Sequence, residues 1–341
     1  FNVSGPTLLD TVNHRFFAGD VSNARILVWT LNSSNNFTSY GANYVLGEPN
    51  FSTRAGGRTS STINSIDDLA YDYANNRLFV SDSSNKRVLI YNLASGITTG
   101  MPASNVLGQT VFTTATSSVS QVGLTSARGL VYDATSSLLY VSDPTSARVL
   151  AYNVTSTITN GMAASYVIGQ TVFTTATSSA TQSGLKTYTS AGASGLAFDG
   201  ANSRLFVSDS NSNRVMVYDT ASISDGMNAT FVLGQTFFTS SSAATTQVGL
   251  SLPAGLSYDG ASSQLFVSDK TNNRVIVYSV ATGTVSNGQS AAAVFGQTSF
   301  TGASSATTQT GLSAPRGAYY DSGNSRLYIG DSSNNRIVIQ N

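Results

Sequence analysis

Residues 71–93 read YDYANNRLFVSDSSNKRVLIYNL, and the reading of this stretch decides the fold. Two short apolar runs, 77–81 and 87–91, are built mainly from aliphatic, β-branched and aromatic residues. Asn75–Asn76 and Ser83–Asn85 bound them. Asn supplies turns because its short side chain bonds nearby backbone and tolerates left-handed dihedrals. Two such runs joined by a turn predict a β-hairpin, with a third strand ending at Tyr71–Asp72. In RVLIY the apolar side chains fall on both faces instead of alternating, so both faces of this strand are expected to be covered.

The stretch recurs six times. An Asp closes the first strand at Asp10, Asp72, Asp133, Asp199, Asp259 and Asp321, and a second Asp follows ten residues later at Asp20, Asp82, Asp143, Asp209, Asp269 and Asp331. Five residues beyond stands an Arg: Arg25, Arg87, Arg148, Arg214, Arg274 and Arg336. Four further on is an aromatic, Trp29, Tyr91, Tyr152, Tyr218 or Tyr278, and Gln340 breaks the series. The period is 60 to 66 residues, with constant spacing inside the unit and variable length outside it. A rigid unit joined by tolerant loops has that signature.

A further apolar run completes each unit: YVLG at Tyr44, NVLG at Asn105, YVIG at Tyr166, FVLG at Phe231 and VFG at Val294. Four short strands per unit are the content of one propeller blade. The SDxxNxRVxxY pattern, VLGQ after it, and the approach to the next YD resemble NHL-type repeats, in the long form of bacterial exported proteins. The resemblance spans the whole chain. It implies an all-β, six-bladed β-propeller with four antiparallel strands per blade, every sheet buried on both faces. The expected blades run approximately 1–47, 66–108, 127–169, 193–234, 253–296 and 315–341, one domain over 1–341. The family includes RNA binders, protein binders and lyases, so the fold alone assigns no activity.

Composition narrows the classes. The formal net charge is zero and 10% of residues are charged, so no field draws in nucleic acid, and no apolar run is long enough for membrane insertion. Twelve of the sixteen Asp occupy the two repeat positions, and Glu48 is the one Glu. There is no Cys, hence no disulfide and no thiolate nucleophile. The Ser, Thr, Asn, Ala and Gly-rich remainder, with only Lys86, Lys186 and Lys270, points to an exported protein, extracellular or at the cell surface. The start at Phe1 without Met or a signal peptide reads as a mature form or an excised domain.

After each VLGQ comes a Ser/Thr/Ala-rich excursion such as TVFTTATSSVSQVGL, 110–124, with an aromatic four residues past the Gly: Phe51, Phe112, Phe173, Phe238 and Phe300. One Phe per loop predicts loops packed down onto the blades. One excursion carries an extra Lys186-Thr-Tyr-Thr-Ser190, and Lys186 and Tyr188 are candidate contact residues at a loop tip. Arg128 and Arg316, just before the first strand in two units only, are candidates for the mouth of the central channel.

The Asp–Arg pairs are the strongest polar pattern. A ring of carboxylates near a channel would suit a cation, but every unit repeats the pair, whereas active sites are asymmetric. The pairs are therefore expected to hold hairpins, by an Asx turn and a charged hydrogen bond. His14 is the only His and is expected at the surface; one His and one Glu exclude a His-rich zinc site. GxSxG, HExxH and Walker patterns are absent, and no cofactor is expected. Asp67–Asp68 leaves a calcium site open, without EF-hand spacing.

Two functions follow. The first is a non-enzymatic scaffold binding a protein or glycan, or assembling with copies of itself into a fibre or lattice. The second is a propeller lyase or hydrolase acting on a small molecule at the channel. The first three strands occur six times but VLGQ five, so the last blade lacks an outer strand. In repeat phase the missing strand falls just upstream of Phe1; the edge, 336–340, is expected to be closed from there, by the N-terminal segment Phe1–Ser4, or by strand addition from another chain.

Overall fold

Asx-rich turns fold each unit into an antiparallel sheet of consecutive strands. The computed structural model describes residues 5–155, 157–188, 195–321 and 325–340. The first sheet holds β1 (Thr7–Asp10), β2 (Arg15–Asp20), β3 (Arg25–Thr30) and β4 (Tyr44–Leu46). The second holds β5 (Ile66–Asp72), β6 (Arg77–Asp82), β7 (Arg87–Asn92) and β8 (Asn105–Leu107). The third holds β9 (Leu130–Asp133), β10 (Leu138–Asp143), β11 (Arg148–Asn153) and β12 (Tyr166–Ile168). The fourth holds β13 (Leu196–Asp199), β14 (Arg204–Asp209), β15 (Arg214–Asp219) and β16 (Phe231–Leu233). The fifth holds β17 (Pro253–Asp259), β18 (Gln264–Asp269), β19 (Arg274–Ser279) and β20 (Ala293–Phe295). The sixth has three strands only: β21 (Pro315–Asp321), β22 (Arg326–Asp331) and β23 (Arg336–Gln340). Among the described residues helix is confined to six 3₁₀ turns, one after the second Asp of each unit. This is the six-bladed, all-β propeller arrangement read from the repeats, and among the described residues the last blade has three strands, without an outer one.

The turns explain residues that the strands do not. The position before each second strand is left-handed, at φ +50° to +56°, and is held by His14, Asn76, Ser137, Ser203, Ser263 and Ser325. His14 is thus a turn residue. It is half-buried, not exposed, with Nδ1 2.8 Å from Asn35 Oδ1. The glycine of each VLG run is also left-handed. At Gly108, φ +82°, a Cβ would lie 2.5 Å from Leu124 and 2.8 Å from the Lys86 carbonyl, so only Gly fits.

Cross-blade packing uses one aromatic pair repeatedly. The Tyr before the first Asp of one blade meets the Phe in the second strand of the blade before it. Ring centroids lie 6.0 Å apart for Phe17–Tyr71, 5.8 Å for Phe79–Tyr132, 5.8 Å for Phe206–Tyr258 and 4.9 Å for Phe266–Tyr320. Around them pack the buried aliphatics, for example Val28, Leu78, Val80 and Leu89 in one cluster. The chain divides into two compact units, Phe1–Asp143 with Leu150–Ser165, and Pro144–Val149 with Tyr166–Asn341.

One expectation fails. Not every sheet is buried on both faces: on the sixth, Tyr319, Ile337 and Ile339 are exposed. The opposite face of that sheet, with Leu327, Ile329 and Val338, packs on Phe266, Val275 and Val277 of the fifth. No described residue covers the first face to the same degree. The expected N-terminal closing strand, Phe1–Ser4, lies outside the described residues.

Candidate functional site

The second Asp of each unit is a junction, and its Arg is a larger one. In the second blade Arg87 Nε donates to Asp82 Oδ2 at 2.9 Å, Nη2 donates to the Thr62 carbonyl at 2.8 Å, and Nη1 donates to the Phe112 carbonyl. Asn85 Nδ2 donates to the same carboxylate at 2.8 Å and to the Gly57 carbonyl at 2.7 Å. Asp82 Oδ1 accepts from the backbone N–H of Asn64 and Ser65. One Asp–Asn–Arg set therefore ties the hairpin turn to the loop entering the blade and to the excursion leaving it.

Other blades repeat the arrangement. Arg214 and Arg274 reach Asp209 and Asp269 at 2.7 Å, and also donate to the carbonyls of Phe238 and Phe300. Arg25 reaches Asp20 at 2.9 Å and the Phe51 carbonyl. Arg148 donates to the Phe173 carbonyl at 2.6 Å, and Asp143 accepts from Ser126 N–H at 2.7 Å. Arg336 holds Asp331 at 2.7 Å, but the described chain has no later excursion; Nη1 turns to the Thr307 carbonyl. Burial pushes the Asp209 and Asp269 carboxyls up despite the adjacent guanidinium. A pair removed from water in this way fixes geometry more than it adds stability.

The excursions are held twice. Gln109 Nε2 donates to the carbonyls of Lys86 and Thr116 while its Oε1 accepts from Thr116 N–H, and Gln170 repeats this with Ala147 and Thr177. The Phe anchor acts through its backbone carbonyl; the rings themselves are half-buried, and Phe51 is exposed. The residue just before it points outward, at Val111 in one unit of the chain and at Val172 and Phe237 in the other, Phe237 being 68% exposed.

The first Asp works differently. Tyr258 lies close enough to Asp199, and Tyr71 to Asp10, for each carboxylate to act on the phenol of the next blade, while the Tyr71 hydroxyl itself donates to Asn76 Oδ1. A second Arg, five residues beyond the first Asp, joins it at Asp72 and at Asp199. Arg77 reaches Asp72 at 2.5 Å and the Val154 carbonyl at 2.7 Å, and Arg204 reaches Asp199 and the Val280 carbonyl at 2.5 Å. Burial pushes the Asp72 and Asp199 carboxyls up, but these hydrogen bonds outweigh it and the net shift is downward. This arginine was legible in the sequence at the same spacing and was overlooked because it is present in only some units.

The loop-tip reading of Lys186 and Tyr188 is corrected. Tyr188 is 7% exposed and packs on Ala254 and Leu252, with its N–H on the Pro144 carbonyl at 2.9 Å. Lys186 donates its backbone N–H to Asp209 and its Nζ to Ser241 Oγ at 3.1 Å. Tyr188 is buried because its large ring gains more by packing than by exposure.

Arg128 and Arg316 both sit at or before innermost strands, each with a charged neighbour. Arg128 Nη1 lies 3.5 Å from Asp67 Oδ1. Burial first, and then the charge of Arg316, hold the Lys270 ammonium below its usual range. Next to Asp67, the partner of Arg128, lies a carboxyl poised near neutrality. Asp68 stands where Gly129, Gly195, Gly255 and Gly317 stand in later blades. Its Oδ2 accepts from Leu130 N–H at 2.8 Å and its Oδ1 from its neighbour Leu69 N–H at 2.9 Å. Burial pushes this carboxyl up to about 7, against the pull of those two N–H groups. Among the described residues no cluster of three or more His, Cys, Asp or Glu is placed to hold a metal ion. No helix is long and apolar enough to cross a membrane.

Comparison with known proteins agrees with this geometry at the level of architecture. A solved structure entitled "Crystal structure of Nidogen/Laminin Complex" superposes with a TM-score of 0.52 at 18% identity, over 85% of this chain and 78% of that chain. The fold is a β-propeller. No family model matches the sequence. No curated protein matches it.

Proposed function

We propose that this β-propeller is an exported, cell-surface or extracellular scaffold that binds another protein through its loop face, on repeats of NHL type. The observation that carries the reading is the combination of rigidity and outward apolar side chains on the excursions. Asp–Asn–Arg and Gln contacts fix the loop backbones, while Val111, Val122, Val172 and Phe237 stay exposed on them. Exposed apolar groups on a fixed surface favour protein contact over a small polar ligand, because little ordering entropy is lost on binding. The propeller in the nidogen/laminin complex is a likeness of fold and supports the reading only as a precedent for protein contact. The near-zero charge suits a protein partner better than RNA. The test places a photo-crosslinking residue at position 237 on protein incubated with its native cell surface. Crosslinking to one protein, with binding lost in Phe237→Ser and Val172→Ser, supports the proposal. Labelling that is the same from a buried control position and indifferent to both substitutions overturns it.

A second reading, a propeller enzyme acting on a small molecule, is favoured by one observation: a carboxyl near neutrality, Asp68, beside the Asp67–Arg128 pair. A turnover abolished by Asp68→Asn without loss of fold supports that reading.

A further inference from the structure

The residue five places before the first Asp of each unit enters the innermost strand, and its identity changes from blade to blade. It is Asp67 in the second, Arg128 in the third, Ala254 in the fifth and Arg316 in the sixth. Arg128 finds its acid on the preceding blade, with Nη1 3.5 Å from Asp67 Oδ1. Arg316 has Ala254 at that place instead. At the neighbouring Gly255 a Cβ would lie 2.3 Å from the Arg316 carbonyl oxygen, so β17 and β21 touch at this level. Arg316 is half-buried, and its Nε is shut off from water without a hydrogen-bond partner among the described residues.

A second cation is brought to the same place. Lys270 opens the 3₁₀ turn after β18, where the fourth blade has Ser210. Ser210 Oγ donates at 2.6 Å to the carbonyl of Pro253 on the next blade, and Pro253 corresponds to Pro315, the residue before Arg316. Position 270 therefore faces the start of β21, and the Lys270 ammonium feels the Arg316 charge. By the same equivalence Ser268 faces position 316. Its counterpart Ser208 donates to the Ala254 carbonyl at 2.7 Å, whereas Ser268 is fully buried and its Oγ has no partner among the described residues. No described carboxylate forms an ion pair with Lys270 or Arg316. Like charges held together beside unfilled donors are costly until an anion completes the set. We propose that Arg316 and Lys270, backed by the Ser268 hydroxyl, form a site for a carboxylate of a small-molecule ligand, in the place that Asp67 takes beside Arg128. A guanidinium grips a carboxylate through its Nε and Nη donors, with a directionality that a point charge lacks. The site lies at the inner strands, apart from the outward apolar side chains of the excursions, and goes beyond the scaffold reading.

The probe is sodium succinate, titrated into the full chain at constant ionic strength against sodium chloride and followed by calorimetry and thermal melting. Saturable binding that raises the melting temperature is expected. Arg316→Gln and Lys270→Gln are each expected to weaken it by about tenfold or more. Without succinate both variants are expected to melt no lower than the parent, because each removes a charge that the free fold leaves uncompensated. Lys86→Gln, at a lysine whose Nζ donates to the Ser84 carbonyl, removes the same charge elsewhere and is expected to keep succinate binding. No saturable binding, binding that survives both substitutions, or binding weakened equally by Lys86→Gln overturns the proposal. Inorganic phosphate binding more tightly than succinate also overturns it, because the ligand group is then not a carboxylate.

Discussion

Arg274→Ala, set beside Arg336→Ala, tests whether the repeat arginines hold the molecule together. Arg274 is fully buried. It donates to Asp269 at 2.7 Å, to the carbonyls of Gly249 and Thr246 at 2.8 and 3.0 Å, and to the Phe300 carbonyl. Truncation leaves a buried carboxylate whose remaining donors are Asn272 Nδ2 and Ser251 N–H. Breaking one side of such a buried pair costs about 3–5 kcal/mol. Arg336 makes the same 2.7 Å contact to Asp331, but its side chain is 29% exposed against 0% for Arg274. Water replaces its donors on truncation, and the expected loss is about 1 kcal/mol. Urea denaturation followed by far-UV circular dichroism reads the two values. Amide exchange over residues 300–311 reads the local effect and should accelerate in Arg274→Ala, which frees the Phe300 carbonyl. The Arg274→Ala deficit should also shrink as pH falls, because protonating Asp269 removes the stranded charge. Equal losses for the two variants, or a loss below about 1 kcal/mol at Arg274, would refute the reasoning.

Two further outcomes are expected. The Asp68 carboxyl rises from 3.8 to about 7 on folding, so its protonated form favours the fold. Its contribution is greatest below pH 3.8 and falls as pH climbs towards about 7, by at most roughly 4 kcal/mol. Asp68→Asn keeps an acceptor for Leu130 N–H and should flatten the stability profile of the parent between those values; parallel profiles in thermal melts would contradict the burial argument. Gly161→Ala should lower stability by about 2 kcal/mol, from a left-handed φ and a clash with Thr110, while Gly96→Ala, facing open space, should cost about 1 kcal/mol. Equal melting of the two would remove the Thr110 contact from the account.

What the sequence determined was everything local. Turn residues such as Asn75–Asn76 and Ser83–Asn85, and apolar runs such as 77–81 and 87–91, act over a few residues, so strands, blade count and the missing outer strand were legible from spacing alone. The insertion 186–190 misled, because a Lys and a Tyr on a long loop read as exposed until Ala254 and Leu252, over sixty residues away, are seen to cover Tyr188. Asp68 carried a visible departure from glycine, but its near-neutral carboxyl depends on Leu130 and the blade packed over it. Asn160-Gly161 and Asn287-Gly288 look like ordinary turn dipeptides. Their purpose emerges only when Asn160 meets Val106 and Asn287 meets Val232, across more than fifty residues. Pairings at that separation are set by which blades stand side by side, and no local pattern encodes them.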